Sequence, residues 1–494
     1  MNLLFDNLFI FELANNHQGS LEHAEYIIDK ISILVSKYKI NAAVKLQYRD
    51  LDTFIHPDFK ERDDVKHIPR FLQTRMSEDD FFSLVSKIKQ ADILACVTPF
   101  DENSVDLCVK HGVDIIKIAS CSATDYPLLE KTVLTKKPVI ISTGGKHFWE
   151  MDNIYNFFTH RNAEFALLHC VSLYPAENSH IQLNCIEKMI NRYPNVPIGY
   201  SGHESPENML IPQMAFAKGA GLFERHIGHE TNNIQLNAYS MEVDKAGAWV
   251  EAVLAAKEIC GDKNKKYIED SELKSINELS RGVYASKNIK IGEKITENDV
   301  FFAMPCQDRQ LQSGQFAESI IATQDYSVNE AIFERSPKVS NGIRNIIHDV
   351  KGMLYEAKIV IGSEFVVELS HHYGIDHFRE YGATIVNIVN REYCKKIIIV
   401  LPGQKHPIHY HKSKEETFQV LSGSLHLELK NEEVDIAAGR IFTVEREMEH
   451  GFSSVHGCIF EEVSTTHVKM DSFYNDTAIN NLSLELRKTH LKEW

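Results

Sequence analysis

The sequence predicts an α/β protein: a (β/α)8 barrel in the first half, then a small β-rich domain and an all-β barrel. Three observations carry this. Eight short apolar runs between Leu8 and His226 alternate with helical stretches, as buried parallel strands and their crossover helices do. Each run ends in a polar residue, at the end of the strand where such a barrel places its active site. Beyond about Glu364, short β-like runs separated by turn residues replace the helical periodicity.

In chain order the eight runs are Leu8 to Glu12, Ala42 to Lys45, Ile93 to Thr98, Asp114 to Ser120, Val139 to Thr143, Phe165 to Cys170, Pro197 to His203 and Gly221 to His226. Between them, Leu21 to Lys37, Asp80 to Lys89, Ser104 to His111, Ile181 to Arg192 and Pro206 to Lys218 repeat apolar residues at three and four, the period of a helix packed on one side. The polar stretch GDKNKKYIEDSELKS from Gly261 ends this unit, giving a barrel domain over 1–262. The strand-like pieces GVYAS and VFFAMP define a small β-rich domain over 278–336. Ser336 to Met353 reads as polar and loosely patterned. The runs FVVEL, TIVNIV, KIIIVL, FQVLSGSLHLEL, IFTVE and CIFEEV then predict an all-β barrel over 355–474, with a polar, peripheral tail after Tyr474.

Composition narrows the function. A chain of 494 residues with 43% hydrophobic content can fill two to four domain cores. A formal charge of −16 with no compensating basic block argues against a nucleic-acid partner, so an anionic substrate must be held by a few buried cations. No apolar run reaches the roughly 20 residues of a membrane span, and the opening MNLLFDNLFIFELANN lacks the cationic start and cleavage site of a signal peptide. The nine cysteines show no paired spacing, as expected for the reducing cytoplasm.

The strand ends supply the chemistry. His203 and His226 end the seventh and eighth runs, where neighbouring imidazoles can share one divalent ion; two ligands leave such an ion open to water or substrate. Lys45 and Lys117 sit in apolar strands, where an unpaired ammonium is costly and a bound anion would be its partner. Thr98, Ser120, Ser142 and Ser201 add hydroxyls on the same rim, and Gly144 and Gly145 allow close backbone approach to a phosphate. Any one hydroxyl could instead satisfy a nearby backbone group; the whole set at one rim favours a site.

The stretches FELANNHQGSLEHA, AAVKLQ, TPFDENSVDLCVKHGVDIIKIAS, KPVIISTGG, ALLHCVSLYP, GYSGHE and ERHIGHE resemble, in order, the sialic acid synthase family of phosphoenolpyruvate-condensing enzymes. RGVYASKNIKIGEKITENDV resembles that family's antifreeze-like (SAF) domain. The resemblance implies that phosphoenolpyruvate condenses with the aldehyde of an open-chain sugar, yielding a 2-keto-3-deoxy sugar acid and phosphate. It implies Mn²⁺ or Mg²⁺ on His203 and His226, and phosphoenolpyruvate bound by Lys45, Thr98, Lys117, Ser120, Ser142 and Ser201. Glu12 would move protons near the sugar, making Glu12, Lys45, Lys117, His203 and His226 the catalytic set. Gln47, Tyr174, Asn237 and Arg309 would bind substrate, with Glu224 a further candidate. A domain-swapped homodimer, in which one subunit's SAF domain covers its partner's barrel, is also implied.

The departures fall on the sugar side. Ser122 stands where the family commonly has an acid, Gly202 where it has Asp, Ser172 where it has Asn, and Ile234, Gln235, Leu236 and Asn237 where it has Pro-Gly-Pro-Asp. Met304 replaces the SAF arginine that reaches the sugar in trans; Arg309 is an alternative source of that contact. The same reaction on a different acceptor is therefore expected.

The segments PGQKHPIHYHKSKEETFQVLSG and GRIFTVEREMEHGF resemble the two motifs of cupins. By that resemblance His409, His411, Glu416 and His450 hold a second metal (Zn²⁺, Mn²⁺, Fe²⁺ or Ni²⁺), with His406 and Glu415 as alternative ligands. EEVSTTHVKMDSFYND, with His467 and Asp471, is similar to sugar-isomerase-type cupins. Two other functions stay open beside the condensing enzyme: a cupin-based sugar isomerase or epimerase with a degenerate barrel, and a non-catalytic sugar-binding scaffold.

Overall fold

All eight apolar runs form parallel strands: β1 (Leu8–Glu12), β2 (Ala42–Tyr48), β3 (Leu94–Pro99), β4 (Ile115–Ile118), β5 (Val139–Ser142), β6 (Phe165–Cys170), β7 (Ile198–Gly202) and β8 (Leu222–Gly228). They follow one another in sequence order, and β1 pairs with β8 to close the ring. Nearly every strand residue is buried, because helices cover the outside and side chains fill the inside. The structure, a computed structural model, describes residues 3–62, 64–262, 266–318, 320–334, 341–362, 364–468, 471–492 and 494. It divides into two units, Met1–Tyr267 and Ile268–Trp494.

The helices start and stop where local chemistry directs. Ser20 caps Leu21–Tyr38 by accepting from the His23 N–H, and a reciprocal pair between Ser77 and Asp80 caps Glu78–Gln90. Ala246–Cys260 carries Trp249, whose ring meets Phe9 and Phe11 edge-on at 5.3 and 5.5 Å and ties the last helix to the first strand. Three expected elements are shorter. The stretch from Ile181 splits into Asn178–Ile181 and Asn184–Arg192, because Gln182 adopts a left-handed backbone at φ 51°. The helix expected from Pro206 begins at Leu210. The fourth strand stops at Ile118, and Ser120–Ser122 make a 3-10 turn.

A two-residue strand β9 (Met241–Glu242) extends the barrel sheet beside β8. In the second unit, β10 (Gly282–Ala285) and β11 (Val300–Ala303) pair antiparallel over a small core containing Val283, Ile289, Ile295 and Ile332. The remaining strands are β12 (Val366–Ser370), β13 (Ala383–Asn390), β14 (Tyr393–Val400), β15 (Lys405–His411), β16 (Glu416–Leu429), β17 (Glu433–Ala437), β18 (Ile441–Val444), β19 (His450–Ser453), β20 (Cys458–Thr465), β21 (Ser472–Tyr474) and β22 (Lys488–Leu491). They form an antiparallel cupin-type sheet with path β21-β15-β19-β16-β20-β14-β13-β12-β22.

Two expectations are corrected here. The loosely patterned stretch contains a helix, Asn341–Glu356, whose Ile346, Ile347, Val350 and Leu354 are buried with Val367, Leu369 and Ile399 of the sheet; residues 335–340 lie outside the described ones. The tail is not peripheral: β22 pairs with β12, and Lys488 donates to Glu368 Oε1 at 2.7 Å. The sheet and its core thus extend on both sides of the 355–474 span.

Candidate functional site

The barrel mouth opens into a cavity of about 630 Å³ that contains twelve of the predicted barrel residues: Glu12, Lys45, Gln47, Thr98, Lys117, Ser120, Ser142, Tyr174, Ser201, His203, Glu224 and His226. Parallel pairing explains the convergence. Register places Glu12 opposite both Lys45 and His226, so the inward-facing ends of β8, β1 and β2 meet at one level.

Two lysines and two glutamates form the floor. Lys45 Nζ pairs with Glu12 and lies 2.8 Å from Glu224 Oε2. Lys117 Nζ donates to Ser142 Oγ at 2.7 Å and to the Ile118 carbonyl at 3.2 Å, and lies 3.9 Å from Glu224 Oε1. Ser201 Oγ donates to Glu224 Oε1 at 2.7 Å. Burial pushes the Lys45 ammonium down to about 8, against the opposite pull of Glu224. Burial also pushes the Glu224 carboxyl up, but Lys117, Lys45 and Ser201 outweigh it and hold the group far below the carboxylate range. Glu224 is thus an internal counter-ion for two cations able to receive an external anion.

The rest of the rim suits oxygen-rich ligands. Ser120 Oγ accepts from the Gly144 N–H at 2.9 Å, and a Cβ at Gly144 would come within 2.3 Å of Ser172 Oγ, so only glycine brings this backbone so close. Thr98 Oγ1 is buried without a hydrogen-bond partner. His203 Nδ1 meets the Val171 carbonyl at 3.0 Å, which fixes its tautomer and leaves Nε2 for a ligand. The His226 ring lies 5.3 Å from that of His203, and burial, with His203 and Lys45, holds it well below its ordinary pKa, in the neutral form that ligates. Two neighbouring imidazoles fit an open divalent ion whose other positions are filled by water or substrate.

One predicted residue of the barrel unit is not brought in. Asn237 is absent from the cavity lining; its Oδ1 accepts from the Tyr239 and Ser240 N–H groups at 3.2 and 2.9 Å, shaping the turn that holds Tyr239. Arg309 belongs to the second unit, is exposed, and lies beside Asp308. Three residues were missed. The Tyr239 ring stands 5.1 Å from both His226 and Tyr174. Arg49 and His67 also line the cavity. Arg49 repeats the inward alternation of Lys45 and Gln47, a signal that was readable; the other two are placed by loops. At Gly202, a Cβ would collide with the Glu204 carboxylate, which is buried against Arg225 and accepts from Tyr200 at 2.7 Å.

A second constellation lies within the cupin sheet. β15 pairs with β19 so that His409 faces His450, and alternation puts His411 on the same side. The ligand atoms of His409, His411 and His450 lie within 4.8 Å of one another. Their Nδ1 atoms meet the Pro407, Asp471 and Met448 carbonyls at 3.1, 2.8 and 3.0 Å, leaving each Nε2 free to ligate. Glu416 Oε1 and Oε2 lie 3.4 and 3.1 Å from the His411 and His450 Nε2 atoms, so the set fits a divalent cation. Of the alternatives, Glu415 is exposed, and His406 stacks on Phe452 at 4.5 Å. Lys414 pairs with Glu416 and lies 2.5 Å from Glu462, which Lys396 approaches at 3.3 Å.

Comparison with known proteins gives consistent results. The NeuB family model matches residues 34–265 and the cupin domain model residues 396–457. The crystal structure of a Chromobacterium violaceum protein named for spore coat polysaccharide biosynthesis, protein E, is 39% identical with a TM-score of 0.63, covering 66% of this chain and 97% of that one. N-acetylneuraminate-9-phosphate synthase of Drosophila melanogaster is 27% identical over 371 residues, 69% of this chain and 97% of that protein. N,N'-diacetyllegionaminic acid synthase of Campylobacter jejuni is 27% identical over 349 residues, 66% of this chain and 99% of that protein.

Proposed function

The chain belongs to the NeuB family, and from that premise we propose that its barrel condenses phosphoenolpyruvate with an open-chain sugar aldehyde, giving a nonulosonic-type 2-keto-3-deoxy sugar acid and phosphate. The observation that carries this reading is the cage of Lys45, Lys117 and Glu224 in the same cavity as His203 and His226. A non-catalytic scaffold has no need of two buried ammonium groups that line one cavity with two imidazoles.

In this reading Lys45, Lys117 and the hydroxyls of Thr98, Ser120, Ser142 and Ser201 take up the phosphate and carboxylate of phosphoenolpyruvate, with the Gly144 N–H donating to Ser120. A divalent ion, Mn²⁺ or Mg²⁺, on His203 and His226 would supply a Lewis acid for the aldehyde oxygen. Carbon C3 of phosphoenolpyruvate bonds to the aldehyde carbon, water adds at C2, and the C2–O bond to phosphate breaks. Glu12 holds and moves the proton between water and the new hydroxyl. Gln47 and Tyr174 orient the sugar. A homodimer with the SAF domain of one subunit over the partner's barrel, in the cytoplasm, belongs to the same proposal; among the described residues no helix is long and apolar enough to cross a membrane.

The test is phosphate release from phosphoenolpyruvate with Mn²⁺ across hexosamines, hexoses and diacetamido sugars. Release that depends on an aldehyde acceptor supports the assignment; no release and no phosphoenolpyruvate binding refutes it. For the cupin cavity we propose sugar isomerase or epimerase activity, supported by the buried carboxylates Glu462 and Glu368 that line it beside the histidines. Aldose–ketose conversion that survives loss of metal in His409→Ala would exclude that ligand set.

A further inference from the structure

Arg49, part-buried in the cavity wall, stands apart from the buried cations of the barrel unit. Lys45, Lys117 and Arg225 each have a carboxylate within 4 Å, whereas among the described residues none lies that near the Arg49 guanidinium. The guanidinium is clamped between Phe71 and Phe100, 4.1 and 3.7 Å from the ring centres. One terminal nitrogen donates to Gln47 Oε1 at 2.7 Å, and Nε is buried without a partner. The nearby acids are engaged elsewhere: Asp101 accepts from the Asp50 and Ser104 N–H groups, and Asp50 from Asn103 and Thr53. A largely desolvated guanidinium held flat by two rings, with its Nε donor uncommitted, is a receptor in search of a planar or tetrahedral anion.

Its position indicates which molecule brings that anion. Lys45, Gln47 and Arg49 alternate along one side of β2 and its extension, so at roughly 3.3 Å per residue Arg49 lies about 13 Å above Lys45. Lys45 shares the level of Glu12 and His226, where the proposed condensation takes place. An open six-carbon chain with its aldehyde there extends roughly 6 Å upward, and the Arg49 side chain bridges the rest. Lys66 lines the same cavity and adds to its positive character.

We infer that Arg49 binds an anionic group, phosphate or carboxylate, carried by the acceptor sugar at the end remote from its aldehyde. The inference rests on the condensation proposed above and narrows its substrate class from sugars in general to acidic ones. It also gives the barrel, within its own chain, a cationic contact for the sugar where Met304 offers none.

The experiment compares N-acetylmannosamine, its 6-phosphate and a hexuronic acid of matched stereochemistry as acceptors for wild type, R49M and R49K. Wild type should favour one anionic acceptor over the neutral one by roughly ten- to a hundredfold in kcat/KM, the range of one charge-assisted contact; which acid wins separates phosphate from carboxylate. R49M should bring that ratio close to one, and R49K should restore part of it. The inference is overturned if R49M leaves the ratio unchanged, if it raises KM for phosphoenolpyruvate equally with every acceptor, or if wild type prefers the neutral sugar. If no acceptor releases phosphate, the condensation itself fails. The anion site is then judged by calorimetry with glucose 6-phosphate and glucuronate against glucose, where binding of either acid must exceed that of glucose and weaken in R49M and R49K, both checked for folding by circular dichroism.

Discussion

Replacing Lys117 with alanine removes a deeply buried cation of the barrel cavity and so tests the anion cage directly. The residue is 2% exposed, and its Nζ donates to Ser142 Oγ at 2.7 Å. Bulk water cannot take its place, so a bound anion loses a charge-assisted hydrogen bond worth about 1.5–3 kcal/mol, equivalent to roughly a 10- to 150-fold increase in Kd. Glu224 is not left bare, since Lys45 and Ser201 remain at 2.8 and 2.7 Å. The fold should survive, with the truncated stem costing about 2–4 kcal/mol as a buried cavity. Calorimetric titration of phosphoenolpyruvate into wild type, Lys117→Ala and the volume-preserving Lys117→Met, each with a thermal melt, reads both quantities. A Kd within twofold of wild type in a folded variant would refute the cage as the phosphoenolpyruvate site.

Lys45 supplies a pH test: its ammonium is present below about pH 8 and lost above it, so kcat/KM for phosphoenolpyruvate should fall about tenfold per pH unit on the alkaline side. Lys45→Arg should push that limb beyond pH 10, and an unchanged limb would assign it to another group. Metal analysis by mass spectrometry should find one equivalent lost in His203→Ala/His226→Ala and a different one in His409→Ala/His450→Ala; loss of both in either variant would show that the sites are not independent. Gly423→Ala should destabilise the cupin by about 2–4 kcal/mol, because φ is +80° and the new Cβ would meet the Gly457 carbonyl at 2.3 Å. A melting curve that matches wild type would contradict the tight β16–β20 crossing.

The strands were legible because parallel sheets buried on both faces write continuous apolar runs, and the strand-end residues were legible because they share one rim. What escaped was set by tertiary context. Tyr239 and His67 reach the cavity from loops, where no period announces a side chain's direction. Arg49 did have a period, but its strand was read as ending at Lys45, when β2 continues to Tyr48. In the helix Asn341–Glu356, Ile346, Val350 and Leu354 recur every four residues, yet polar neighbours diluted the pattern. The last strand, KTHL, is too short and polar to announce itself and is held by pairing with β12 rather than by its own propensity.

The ring closure has a consequence for how the site comes into being. Glu12 and His226 are neighbours only because β1 pairs with β8, roughly two hundred residues later in the chain. The two imidazoles, His203 and His226, thus lie at the last two strands, on one side of the seam, and Glu12 lies on the first strand, across it, whereas Thr98, Lys117, Ser120 and Ser142 lie on the opposite arc. A barrel that frays at this seam would part Glu12, the proposed proton carrier, from the two imidazoles while the arc that carries Lys117 and Ser142 stays intact.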